Sequence, residues 1–357
     1  MMKKVSVIIP AYKPDEKLIS TLNDLAEIGF SDILVVDDGS GAEFSELFDR
    51  VKAMPQCTLL RHPVNRGKGA ALKTAMTYFL DNRPEQAGVV TADADGQHLA
   101  KDIAAVSKAM LEGGRIVLGV RNFSDPKVPP KSKAGNRITI AVFRLFFGMK
   151  ISDTQTGLRA FPRKELAEVV KAEGDRYEFE THMLFLMNKK GMPFDEVEIA
   201  TVYLEENKSS HFRAVRDSLR IYSLILKYLF SSAASALIDA GVFFLIKCLF
   251  GPITTLGAIP VTFVAAFFAR VISSLFNFFV NAKVVFGDRA GKKSMVRYYA
   301  LALIQISASA GAVYLLEHIL SVSSPLLSTL IKAVVDTILF FVSFRVQHKW
   351  VFAEGKN

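Results

Sequence analysis

Gly88-Val89-Val90-Thr91-Ala92-Asp93-Ala94-Asp95-Gly96-Gln97-His98 is a short apolar, β-branched run followed by two carboxylates one residue apart. Gly88 to Thr91 predicts a buried strand. Asp93 and Asp95 then stand at its exit, where open α/β sheets take their ligands. An Asp-x-Asp pair there can hold one hard divalent cation and leave coordination positions for phosphates. Taken alone, the same residues also suit a solvated acidic turn, so the neighbouring segments have to decide.

Upstream, Val5 to Ile9 reads as a first strand ended by Pro10, with Ala11-Tyr12-Lys13-Pro14-Asp15 as the loop behind it. Leu18, Leu22 and Leu25 have helical spacing within Glu16 to Ile28. Asp32 to Val36 reads as a second strand, closed by Asp37-Asp38-Gly39-Ser40. Strand alternating with helix predicts a mainly parallel, doubly wound sheet. An acidic residue ending an early strand commonly bonds a ribose, although Asp-Asp-Gly-Ser alone is simply a good turn. Asn65-Arg66-Gly67-Lys68-Gly69-Ala70 opens a helix through about Phe79. It lacks the Ser or Thr and the upstream glycine of a P-loop. Small residues at a helix start still let backbone donors approach an anion, and Lys68 adds a charge; an exposed basic helix start fits equally well.

Four stretches in this order carry a resemblance: Ile9-Pro10-Ala11-Tyr12, Asp37-Asp38-Gly39-Ser40, Asn65-x-Gly-Lys-Gly and Asp93-x-Asp-Gly-Gln-His. It continues through Gly135-Asn136-Arg137, Asp153-Thr154-Gln155-Thr156-Gly157-Leu158-Arg159-Ala160-Phe161 and Arg176-Tyr177-Glu178-Phe179-Glu180. Residues 3 to about 215 thus resemble the family 2 glycosyltransferases of GT-A fold, in particular the dolichyl- and undecaprenyl-phosphate sugar synthases. The resemblance implies an α/β GT-A domain. Pro10, Tyr12 and Asp38 would contact base and ribose, and Lys68 and Ala94 would complete the donor site. Asp93 and Asp95 would hold Mg2+ or Mn2+, with Gln97 close to the metal or diphosphate. Family members carry Asn-Glu after the tyrosine; here the residues are Lys13-Pro14-Asp15-Glu16, so Asp15 or Glu16 stands for that glutamate.

Glycosyl transfer from a nucleotide sugar, UDP- or GDP-linked, needs the diphosphate neutralised as it leaves, which a bound cation does as Lewis acid and template. A hydroxyl acceptor also needs a general base. A polyprenyl phosphate does not, because its second pKa is near 6. It needs cations instead, and Arg121, after the strand-like run Ile116 to Val120, begins a basic series with Lys127, Lys131, Lys133 and Arg137. Arg121, Lys133, Asn136, Arg137 and Arg213 are the expected phosphate-binding set, with a basic rim for anionic lipid as the alternative. Ile138 to Met149 suits an interfacial amphipathic helix or an ordinary core helix. Asp153, Glu178 and Glu180 are the bases for a hydroxyl acceptor, whereas His182 and His211 read as structural.

The length, 357 residues, suits two domains, expected at 1–222 and 223–357. Four windows beyond residue 222 reach the length of a bilayer span: 228–246, 258–280, 298–316 and 326–344. Much of the net charge of +9 flanks them, which argues for an anionic membrane surface over nucleic acid. Cys57 and Cys248 are too far apart for metal-ligand spacing and indicate no disulfide framework. Lys3-Lys4 runs straight into the first strand without a signal-type apolar region, so the catalytic domain is expected in the cytosol. Phe-x-Val-x-x-Lys-x-Val-Phe occurs twice, from Phe278 and from Phe344, and predicts tandem helix hairpins. Lys283, Arg289, Lys292, Lys293 and Arg297 lie between the second and third windows, while 251–257 and 321–325 carry no Lys or Arg. The positive-inside rule then puts both termini in the cytosol. This half resembles the GtrA-like four-helix membrane family, associated with lipid-linked sugars. Asp239, Arg270, Lys332 and Asp336 fall inside the windows; Lys332 with Asp336 and Arg270 with Asp239 are the simple pairings.

The expectation is a membrane-bound inverting glycosyltransferase acting on a polyprenyl phosphate for cell-surface glycan assembly, with no nucleic-acid partner and compatible with a homo-oligomer. A transferase acting on a polysaccharide or teichoic hydroxyl, and a lipid-sugar flippase with a nucleotide-binding domain, are the alternatives.

Overall fold

Residues of β1 (Val5–Ala11) are almost all buried, because helices cover both faces of the sheet that they enter. The computed structural model describes residues 2–125, 128, 130–200, 223–250, 255–256, 259–286, 291–321 and 325–352. It divides into two units, Met1–Ile221 and Tyr222–Asn357.

In the first unit β1 is joined by β2 (Ile33–Asp38), β3 (Cys57–His62), β4 (Gly88–Thr91), β5 (Ile116–Arg121), β6 (Arg159–Pro162) and β7 (Phe194–Ile199). The order is β3-β2-β1-β4-β6-β5-β7. Pairing is parallel except for β6, which runs antiparallel to both β4 and β5. This is the expected GT-A-like, mainly parallel sheet, with β6 as the reversed strand.

The helices are α1 (Lys17–Ile28), α2 (Ser45–Ala53), α3 (Lys68–Asn82), α4 (Ala100–Gly113), α5 (Pro130–Val142), α6 (Arg163–Val169) and α7 (Glu178–Lys190). Val5, Val7 and Ile9 share one core with Leu18, Leu22 and Leu25 of α1 and Ile103, Val106 and Met110 of α4. Each of those buried leucines contributes about 2 kcal/mol. On the other face α3 packs on β1 and β2, with α6 and α7 against it. A π-helical turn, Phe143–Phe147, follows α5; Phe143, Phe146 and Phe147 are buried, whereas Ile138 and Leu145 stay exposed.

β1 does not stop before Pro10 but pairs through Ala11 with Asp37. The Val7 amide bonds Asp32 on the β2 side, so Pro10, three residues on, turns its ring nitrogen toward β4. There pairing has ended at Ile8 with Thr91, so no ladder bond is lost. The parting of β1 and β4 is the switch point of the sheet, and the crevice at their carboxyl ends is where such folds bind ligands.

In the second unit the first, third and fourth apolar windows lie in α8 (Ser223–Phe250), α10 (Lys292–Ile319) and α11 (Pro325–Val346), and the second passes through a two-residue strand, Ile259–Pro260, into α9 (Val261–Val280). Among the described residues two stretches, Leu226–Phe250 and Phe267–Val285, are long and apolar enough to cross a membrane. The repeat is structural: α9 and α11 each run into a π-helical turn, Asn281–Val285 and Gln347–Val351. The equivalent side chains Asn281 and Gln347 bond each other, Nδ2 to Oε1, at 3.1 Å.

Candidate active site

The Asp93–His98 turn leaves β4 at the switch point and is closed by its own side chains. The Asp93 amide donates to His98 Nδ1 at 3.0 Å, and the Gln97 amide donates to Asp95 Oδ1 at 3.0 Å. Thr91 at the strand's end donates to the Gly157 carbonyl at 2.7 Å, which seats the 156–158 segment beside Asp93. A Cβ on Gly157 would lie 2.8 Å from Asp93 Oδ2. Gly157→Ala is therefore expected to displace that carboxylate and lower turnover about 10- to 100-fold with the fold retained. Steady-state rates beside a thermal unfolding curve check this.

Asp93 is also gripped by a lysine. Lys68 Nζ, at the first position of α3, lies 2.6 Å from Asp93 Oδ1 and 3.0 Å from Glu180 Oε2, in the first turn of α7. Glycines make that junction: a Cβ on Gly67 would strike the Asp175 carbonyl at 2.4 Å and one on Gly69 would strike Phe179 Cβ at 2.6 Å. The Ala70 amide donates to that same carbonyl at 2.9 Å. Burial alone would lower the Lys68 ammonium, but Asp93 and Glu180 outweigh it and raise it above its ordinary value. Burial alone would likewise raise the Asp93 carboxyl; Lys68, then His98 and Arg121, hold it below the usual carboxylate range. Asp95 goes the other way, pushed up by burial first and by the Asp93 charge second.

Asp38 is occupied within the protein. It is 2% exposed, and its oxygens accept from His62 Nδ1 at 2.7 Å, the Arg66 amide at 2.9 Å and the Gly67 amide at 2.7 Å. The amides just before α3 thus bond the protein's own Asp38, which ties down the segment that carries Lys68. Asp15 accepts the Lys17 amide at 3.0 Å in a local turn before α1, while Glu16 forms a two-point pair with Arg50 at 2.6 and 2.9 Å. Pro10, Tyr12 and Ala94 are half-buried around the crevice. The Lys13 amide donates to Ser40 Oγ at 2.9 Å and ties the β1 loop to the Asp37–Ser40 turn.

On the β5 side Arg121 forms a two-point pair with Asp153, at 2.7 and 3.1 Å; Asp153 is fully buried and Arg121 is 27% exposed. Arg159 is 1% exposed and donates to the Thr156 and Glu180 carbonyls. Burial pulls its guanidinium down, opposed by Glu180, Asp153 and Asp93. Asn136 is buried and donates to the Ser152 carbonyl at 3.0 Å, so it anchors α5 rather than offering its amide to a ligand. Lys133 is half-buried and Arg137 exposed. Arg213, His211, Lys127 and Arg289 lie outside the described residues, and so does the side chain of Lys131. From the sequence Glu180 is only an alternative base, and Arg159 and His98 carry no role, although all three sit in the motifs above. Among the described residues no group of three or more carboxylates, imidazoles or thiolates converges on one point.

The second unit holds a cavity of about 780 Å³, lined by Tyr228, Arg270, Tyr298, Gln305, Asp336 and Gln347 among others. Arg270 lies 3.5 Å from Asp239, the simple pairing expected. Asp336 accepts from Ser309 at 2.5 Å, and the Lys332 side chain is outside the description.

The model of glycosyl transferase family 2 matches residues 6–169, and that of the GtrA/DPMS transmembrane domain matches residues 227–352. An uncharacterized protein of Methanocaldococcus jannaschii is 31% identical over 232 residues, 64% of this chain and 93% of its own length. A UDP-N-acetylglucosamine–dolichyl-phosphate N-acetylglucosaminyltransferase of Methanococcus voltae is 28% identical, over 57% of this chain and 87% of the relative. A dolichyl-phosphate beta-glucosyltransferase of Dictyostelium discoideum is also 28% identical, over 61% of this chain and 73% of the relative.

Proposed function

The chain belongs to glycosyl transferase family 2 and carries a GtrA/DPMS transmembrane domain, and from that premise we propose that it moves a glycosyl group from a nucleoside diphosphate to a polyprenyl phosphate at a membrane. The observation that carries this is the carboxylate pair on the Asp93–His98 turn at the sheet's switch point, in a chain whose relatives are dolichyl-phosphate sugar transferases.

A phosphate acceptor is ionised near neutral pH, its second pKa being about 6, so the chain has no proton to remove. The acceptor oxygen bonds to the anomeric carbon as the bond to the diphosphate breaks, with inversion through an oxocarbenium-like state. Arg121, held rigid by Asp153, presents the acceptor-side charge, supported by Lys133 and Arg137. Pro10, Tyr12 and Ala94 flank the nucleotide, and Asp38 acts by fixing Arg66, Gly67 and hence Lys68.

Asp93 and Asp95, with Gln97, would hold Mg2+ or Mn2+, whose charge draws on the departing diphosphate. Two carboxylates rather than three suit a cation that keeps water and phosphate oxygens as its other ligands. The distribution of lysine and arginine between the windows supports cytosolic termini and a multi-pass membrane half.

The test is a panel of UDP- and GDP-sugars with the detergent-solubilised full chain, undecaprenyl phosphate and Mn2+. Nucleoside diphosphate release from one donor class that requires the lipid phosphate and stops with chelator is the expected result. No release with any donor, or release indifferent to the lipid, would overturn the reading.

A further inference from the structure

The ammonium of Lys68 occupies the carboxylate oxygen of Asp93 that faces α3, at 2.6 Å, and is only 18% exposed. A divalent cation ligated by the same carboxylate at about 2.1 Å would lie within a few ångströms of that ammonium. Two cations sharing one carboxylate repel, so a second anion that takes up the ammonium favours the metal. The structure supplies that anion: Glu180 Oε2, 3.0 Å from the same ammonium. Glu180 is itself fixed, because α7 begins against the glycines that open α3.

We propose that Lys68 is a resident counter-ion that blocks one face of Asp93 against free metal and turns to Glu180 when a nucleoside diphosphate brings the metal in. This rests on the reading that Asp93 and Asp95 hold a divalent cation. The diphosphate carries the negative charge that lets metal and ammonium coexist, so metal and nucleotide bind as a unit and free metal binds weakly. Lys68 then acts on the order of binding, through Asp93, and the group that shares it is Glu180 rather than a second metal ligand.

The experiment follows Mn2+ binding by the electron paramagnetic resonance signal of the free ion, using the solubilised full chain with and without UDP and, in parallel, GDP. In the native protein one of the two nucleotides is expected to tighten Mn2+ at least tenfold. Lys68→Met should bind Mn2+ alone at least tenfold more tightly than the native protein, and its gain from nucleotide should shrink; Lys68→Gln serves as the second variant should the first unfold. Glu180→Gln should weaken Mn2+ binding alone, since Lys68 then rests wholly on Asp93, and that weakening should vanish in the Lys68→Met background. Unchanged or weaker Mn2+ binding by the Lys68 variants overturns the inference while leaving the metal reading intact. A Glu180→Gln loss that persists without Lys68 makes Glu180 a metal ligand and also overturns it. Absence of Mn2+ binding in every form, with either nucleotide, overturns the metal reading and the inference together.

Discussion

Asp95→Ala is expected to lower metal-dependent turnover about a thousandfold or more, because Lewis-acid stabilisation is worth several kcal/mol in the transition state. The fold should not suffer. The Asp95 carboxyl is raised by burial and by Asp93, against the opposing pull of the Gln97 amide. A carboxyl whose folded-state value is raised above its unfolded one holds its proton more tightly in the folded protein. Above the unfolded value it therefore subtracts from stability, and removing it at neutral pH relieves that strain. The unfolding midpoint of Asp95→Ala, taken in chelator, should equal or exceed that of the native protein. Full activity would refute the metal assignment, and a lowered midpoint would make Asp95 a structural residue. Asp93→Ala gives the contrast: it strips Lys68 of its nearer partner, so loss of activity there comes with loss of stability.

The features that were legible in the sequence are those that close over a few residues. Gly88 to Thr91 and the acidic turn behind it are local, and the strand forms with the bounds its composition predicts. Asp38 shows the limit. Asp37 and Asp38 are adjacent in β2, and successive residues of a strand point to opposite faces. Both are buried, and the partner each meets is set by pairing with β3, where Asp37 lies beside Arg61 and Asp38 beside His62; nothing near residue 38 announces that strand. Lys68 and Glu180 are joined only by the packing of two helix starts that lie far apart in the chain, α7 resting against the glycines that open α3. In the membrane half the repeat is visible as a pattern, but the bond between its equivalent members Asn281 and Gln347 exists only once the two hairpins pack.

Arg121→Ala is expected to cost the catalytic unit much of its stability as well as acceptor use. Sequence reasoning offers it as a cation for the acceptor phosphate, and the structure places a fully buried partner, Asp153, on its guanidinium. Arg121→Ala leaves that carboxylate in the protein interior with the amides of Gln155 and residue 121 as its remaining donors. Breaking a buried pair costs 3–5 kcal/mol as a rule; partial solvation of Arg121 reduces this to about 2–4 kcal/mol. A weaker enzyme from that variant alone would thus say nothing about lipid phosphate. Asp153→Asn in the same chain removes the stranded charge and keeps an oxygen for the Gln155 amide, so the double variant is expected to regain most of the lost stability in a denaturant titration. Its KM for undecaprenyl phosphate should nevertheless stay at least tenfold above the native value, with donor hydrolysis in the absence of lipid unchanged. Recovery of both stability and lipid-phosphate use would reduce Arg121 to a counter-ion for Asp153. Recovery of stability alone separates the charge that holds the loop from the charge that meets the acceptor.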